Sequence, residues 1–64
     1  MTDFDTRFSL SQQIEEVKRE IAMRNRVYPS FVLRGKMTPS KAEFHIGRME
    51  AVLDTLERLV GQDD

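Results

Sequence analysis

The chain contains no cysteine and no tryptophan among its 64 residues, and it has only three glycines and two prolines. Without cysteine it can form neither a disulfide nor a thiolate metal site. It also lacks any apolar run near the roughly 20 residues that a membrane-spanning helix needs. Its first residues are acidic, whereas a signal peptide begins with basic ones, so we expect a cytoplasmic protein.

The short chain also limits the size of the hydrophobic core. A chain of 64 residues has room for one small domain, and a pair of helices buries only one seam, which barely offsets the lost chain entropy. Because no disulfide can add stability, we expect the protein to self-associate.

A short turn at residues 34–39 predicts the architecture. Gly35 can adopt the left-handed conformation that ends a helix, Thr38 is a good N-cap, and Pro39 suits the first helical position. So short a connection favours an all-α, antiparallel two-helix hairpin. The predicted single domain, 1–64, consists of an arm at 1–8 that carries Phe4 and Phe8, a first helix at about 9–34, a second helix at 39–60 that stops at Gly61, and a tail at 61–64.

Apolar residues recur in both segments at alternating steps of four and three, which is the pattern of a heptad seam. In the first helix the seam positions are Leu10, Ile14, Val17, Ile21, Arg24, Tyr28 and Phe31. In the second they are Ala42, Ile46, Met49, Leu53, Leu56 and Val60. Arg24 breaks the apolar pattern, so it must reach solvent, find an acidic partner or face a ligand.

Pro29 lies inside the first helical segment. Proline removes one backbone hydrogen bond and disfavours helical geometry at the residue before it, so we expect a kink or a break near Tyr28.

The second helix has a wider apolar face than one seam requires, because His45, Val52 and Leu59 flank the seam on one side. Phe44 falls nearly opposite this face and implies a second apolar surface, and the mid-helix Gly47 suggests the close approach of another backbone. The expected assembly is a homo-oligomer, most simply a dimer that forms a four-helix bundle. Its predicted interface consists of His45, Ile46, Met49, Leu53 and Leu56.

Charge is distributed unevenly along the chain. Residues 18–41 hold seven basic residues against Glu20 alone, a net charge of +6, whereas residues 1–16 carry −3 and residues 42–64 carry −4. A basic turn end can steer anionic partners. Two hairpins packed head to tail would equally match each basic end with an acidic one.

No catalytic signature is present. His45 is the only histidine and has no second ligand at metal-binding spacing, the serines lie at caps and turns, and the glycines form no phosphate-binding loop. We therefore expect neither an enzyme nor a metal or cofactor site.

Several segments resemble the short helical proteins encoded by tailed bacteriophages and prophages, a family without an assigned activity. The resemblance extends from about Val17 to Leu56. It is carried by V-K-R-E-I-A-M-R, R-V-Y-P, G-K-M, Ala42 and M-E-A-V-L. It implies a phage accessory protein made in the bacterial cytoplasm, of a kind that can counter a host defence, and it assigns no functional residue.

Two functional hypotheses follow. In the first, an oligomeric hairpin binds a host or phage protein. In the second, an inter-subunit pocket sequesters a small anion such as a nucleotide signal. The candidate ligand- or partner-binding residues are Arg24, Arg26, Tyr28, Arg34 and Lys36. Nucleic-acid binding by the basic turn end is a weaker alternative, because no recognised motif accompanies it.

Overall fold

The computed structural model describes residues 7–62, which form two helices, α1 (Leu10–Leu33) and α2 (Pro39–Gln62). No strand occurs in this part of the chain. Contacts between the helices pair Lys18 with Glu57 and Arg24 with His45. Higher residue numbers on α1 therefore meet lower residue numbers on α2, so the two helices are antiparallel. The predicted all-helical hairpin is confirmed. Of the predicted arm, Phe4 lies outside the described residues.

A capping box begins α1. The Ser9 hydroxyl accepts a hydrogen bond of 3.1 Å from the backbone N–H of Gln12, and the Gln12 side chain accepts one of 2.9 Å from the N–H of Ser9. Two backbone donors at the start of the helix are thereby satisfied. The Ser-x-x-Gln spacing from Ser9 to Gln12 is the sequence pattern of this motif.

A Schellman motif ends α1. Gly35 has a φ of +74°, and its N–H donates a bond of 3.0 Å to the carbonyl of Val32. The N–H of Lys36 donates a bond of 2.8 Å to the carbonyl of Phe31. These are the two bonds that define the motif, and the positive φ explains why glycine occupies this position.

Thr38 caps α2, as its residue type predicts. Its hydroxyl accepts a bond of 3.1 Å from the N–H of Lys41, and its carbonyl accepts the first helical bond, 3.0 Å, from Ala42. Pro39 occupies the first helical position, where its missing N–H costs nothing.

The helix α1 is not broken at Pro29, because helical structure continues from Leu10 to Leu33. The expectation of a break was wrong. Proline removes one hydrogen bond, to the carbonyl of Asn25, and the bonds on either side are enough to carry the helix past it.

The second helix is longer than predicted. It runs through Gly61 to Gln62 instead of stopping at Val60. Glycine ends a helix when it takes a positive φ, and within residues 7–62 only Gly35 does so. Gly61 lowers the helix propensity at its position, but it does not end the helix.

The core is a single seam between the two helices. All predicted seam residues of both helices are at least half-buried, and Ala42, with 9% of its surface exposed, is the one buried residue among those described. The seam was therefore predicted correctly from its spacing, and within one hairpin it remains half open to solvent.

Candidate functional site

Arg24 lies in the seam near the middle of α1, with 22% of its side chain exposed. Its Nε donates a bond of 2.7 Å to Oε2 of Glu20, one turn earlier on the same helix. Its Nη1 donates a bond of 2.9 Å to the backbone carbonyl oxygen of His45 on α2. The partly buried charge is thus paired within the fold, and Arg24 connects the two helices.

Tyr28 lies in the last two turns of α1, and Arg34 is the residue that caps its end. The Tyr28 ring is half-buried and packs at 6.1 Å, centroid to centroid, against Phe31. The Arg34 guanidinium lies 5.7 Å from the Phe31 centroid, a cation–π contact, and its Nε donates a bond of 3.4 Å to the carbonyl of Ser30. Arg26, one turn before Ser30, is exposed.

Lys36 belongs to the turn and is exposed. It contributes to an open depression of about 340 Å³ at the turn, whose other walls include Gly35 and Lys41. The nine helical steps from Arg24 to Leu33 span about 13 Å at a rise of 1.5 Å per residue, and Lys36 lies beyond them. One chain therefore does not bring Arg24 and Lys36 around one small ligand.

One edge of the seam is polar. Lys18 on α1 pairs with Glu57 on α2 at 4.0 Å across this edge, and the same heptad position holds Asn25 on α1 and Glu43 and Glu50 on α2. All five residues, which we term the polar edge, are exposed. The charges keep this side of the hairpin in solvent.

The opposite edge of the seam is apolar on α2. It consists of His45, Val52 and Leu59, which are spaced by seven residues, together with Val27 on α1. Val52 is 44% exposed, and the other three are half-buried. We term these four residues the apolar edge. The Arg24 contact with His45 places the Glu20–Arg24 pair on this side of the hairpin as well.

Phe44 projects from the outer face of α2 and is 57% exposed, as its helical position predicts. Arg48 lies over its ring at 5.0 Å from the centroid, and the His45 ring contacts it edge-on at 5.5 Å. A Cβ built at Gly47 on the same outer face would meet nothing within 4 Å. The close backbone approach expected at Gly47 is therefore absent from the hairpin.

The residues of the predicted oligomer interface are already partly covered by α1. His45, Ile46, Met49, Leu53 and Leu56 are all half-buried within the single chain. Sequence spacing identified this face, but it did not identify the two different edges of the seam. The signal for them was present in the flanking heptad positions of α2, which are charged on one side and mostly apolar on the other.

Within residues 7–62, no three His, Asp or Glu side chains group as metal ligands do, and neither helix is long and apolar enough to cross a membrane. No protein-family model matches the chain, and neither curated proteins nor solved structures give a significant match.

Proposed function

We propose that the protein is a non-enzymatic interaction module in which two hairpins pair into a four-helix bundle through the apolar edge. The observation that carries this proposal is the half-open seam. Only Ala42 is buried among residues 7–62, and a single half-buried seam is too little to hold a chain of this size folded.

The difference between the two edges of the seam supports the same proposal. The polar edge carries an ion pair and three further polar side chains, whereas the apolar edge presents Val27, Val52 and Leu59. Burying the apolar edge removes hydrocarbon from water, at about 25 cal/mol for each Å² covered. Burying the polar edge would desolvate charges instead.

The resemblance to phage-encoded helical proteins suggests what such a module does. On that basis the bundle acts in the bacterial cytoplasm, where its outer surface binds a host protein and counters a defence. The exposed Phe44, flanked by Arg48, is a suitable contact on that surface, because aromatic and arginine side chains contribute strongly to protein interfaces. Capture from lysate of the bacterial host by the native chain, lost with Phe44→Ala, tests this part.

An anion-binding role has one observation in its favour, the exposed basic side chains of Arg26, Arg34, Lys36 and Lys41 near the turn. Against it, the Arg24 guanidinium is already bound to Glu20 and to the backbone of α2. A rise in melting temperature on addition of a nucleotide, abolished by Lys36→Ala but not by Lys18→Ala, would favour this alternative.

A kink of α1 at Pro29 stays a prediction.

Self-association is tested by sedimentation of the native chain and two variants. Val52→Glu places a charge in the apolar edge, and Ala51→Glu places the same charge one residue away on the exposed outer face. We expect Val52→Glu to abolish the dimer and Ala51→Glu to retain it. Equal association of the two variants would contradict the proposal.

A further inference from the structure

We propose that the second copy docks on the apolar edge head to tail, so that the turn of each hairpin lies beside the open end of the other. The inference rests on the proposed self-association and adds its orientation. Two hairpins that stack face to face with a two-fold axis have two choices. An axis along the bundle places the two turns together, and an axis across the bundle places them at opposite ends.

Charge favours the axis across the bundle. The half of the hairpin nearer the turn, residues 21–51, carries six basic and two acidic residues, a net charge of +4. The described part of the open half, residues 7–20 and 52–62, carries four basic and five acidic residues, a net charge of −1. The chain ends add four aspartates to the total, outside the described residues. Turns placed together bring two strongly positive ends into contact, whereas head-to-tail pairing sets each positive end against a negative one.

The contents of the apolar side give a second, independent reason. On α2 this side presents His45, Val52 and Leu59, but on α1 it presents Gln13 and Glu20 before Val27. With the turns together, α1 of one copy lies on α2 of the other, and the Glu20–Arg24 pair packs against apolar side chains. In the head-to-tail arrangement α2 lies on α2 and α1 lies on α1, so the apolar side chains of the two α2 helices meet, and the Glu20–Arg24 pairs of the two α1 helices face each other.

The position of the ion pair fits this symmetry. Glu20 and Arg24 lie on either side of the midpoint of α1, which runs from Leu10 to Leu33. A two-fold axis through the middle of the bundle therefore brings the carboxylate of each copy close to the guanidinium of the other. Such reciprocal contacts are characteristic of a self-complementary interface.

Spin-label distances between single cysteines distinguish the two orientations, because the native chain contains no cysteine that would compete for the label. Ser40 is exposed at the start of α2, and Ala51 is exposed near its middle. In the head-to-tail dimer the two Ser40→Cys labels lie about 30 Å apart or more, given a rise of 1.5 Å per residue. With the turns together they lie less than about 20 Å apart, within two helix diameters.

Ala51→Cys is the control, because a label at the middle of α2 lies at the same height in both orientations. We expect a dipolar signal from Ala51→Cys together with the long Ser40→Cys distance. A short Ser40→Cys distance would overturn the head-to-tail arrangement and leave the dimer intact. No dipolar signal from either label would overturn the dimer itself.

Salt provides a second readout on the unmodified chain. At about 1 M salt the screening length falls to about 3 Å, which removes most attraction between exposed charges. The dissociation constant of the head-to-tail dimer should then be higher than in low salt. A dimer that tightens as salt rises would indicate repelling turns placed together and would overturn the orientation.

Discussion

The Arg24 guanidinium donates a hydrogen bond of 2.9 Å from Nη1 to the backbone carbonyl oxygen of His45, and so joins the middle of α1 to α2. The same guanidinium is held by Glu20 at 2.7 Å. A cation in an apolar seam is costly unless it is paired, and here two acceptors from two helices pair it. The residue that looks wrong in the heptad pattern thereby fixes the register of the helices.

Replacing Arg24 by lysine tests this role. Lysine keeps the charge and most of the alkyl stem, but its single ammonium cannot reproduce the planar fork that reaches both acceptors. We expect Arg24→Lys to lower the free energy of unfolding by about 1 kcal/mol, the usual contribution of such a bond. Arg26→Lys, at an exposed position on the same helix, is the matched control and should change stability little.

A double-mutant cycle isolates the pair on α1. Glu20→Gln should lower the free energy of unfolding by about 0.5 kcal/mol or more in the native background. In the Arg24→Lys background it should change this energy very little, because the Glu20–Arg24 pair has already been weakened. Strict additivity of the two changes would show that Glu20 does not orient Arg24.

Gly35→Val should destabilise the hairpin by about 1 kcal/mol or more, because a β-branched residue resists the positive φ at this position. A Cβ there would meet no atom from elsewhere in the chain within 4 Å, so the cost comes from the local backbone conformation. The free energy of unfolding in urea measures the effect.

Gly47→Ala is the opposite case, because this glycine is helical and equally free of neighbours. We expect it to stabilise the protein by up to about 1 kcal/mol through helix propensity. If Gly35→Val were as well tolerated as Gly47→Ala, the Schellman motif would not be what ends α1.

Thr38→Ala should cost about 1 kcal/mol, because it removes the acceptor for the N–H of Lys41 at the start of α2. Thr55→Ala serves as the control. The Thr55 hydroxyl bonds to the carbonyl of Ala51 within the helix, an arrangement that adds little to stability. Thermal unfolding followed by circular dichroism should show a clear loss only for Thr38→Ala, and equal losses would argue against the cap.

Much of the fold was predictable because local chemistry determines it. Gly35, Thr38 and Pro39 mark the turn through backbone preferences that act within a few residues, and the alternation of four and three marks the seam. The errors arose where several weak preferences compete. Pro29 and Gly61 each disfavour helix, yet the neighbouring turns hold them in it.

The candidate site was less predictable, because its contacts join residues far apart in sequence. Glu20 was a possible partner for Arg24 from its spacing of four residues, but the carbonyl of His45 carries no sequence signal at all. The separation of Arg24 from Lys36, by contrast, follows from the predicted helix and its rise of 1.5 Å per residue. Side-chain type identifies candidates, and the packing of one helix on the other decides which of them meet.

Thermal stability should depend on protein concentration if folding and association are coupled. We expect the melting temperature of the native chain to rise as its concentration is increased tenfold and tenfold again, and that of Val52→Glu to remain lower and constant. A melting temperature of the native chain that is independent of concentration would argue against coupling.

Sedimentation equilibrium of the native chain at micromolar concentration is the most direct measurement. Pairing through the apolar edge predicts a folded particle of twice the chain mass of 7.5 kDa, with Val52→Glu reduced to a single chain and Ala51→Glu unaffected. A folded native particle of 7.5 kDa would contradict the proposed module, because the single half-open seam would then be sufficient by itself.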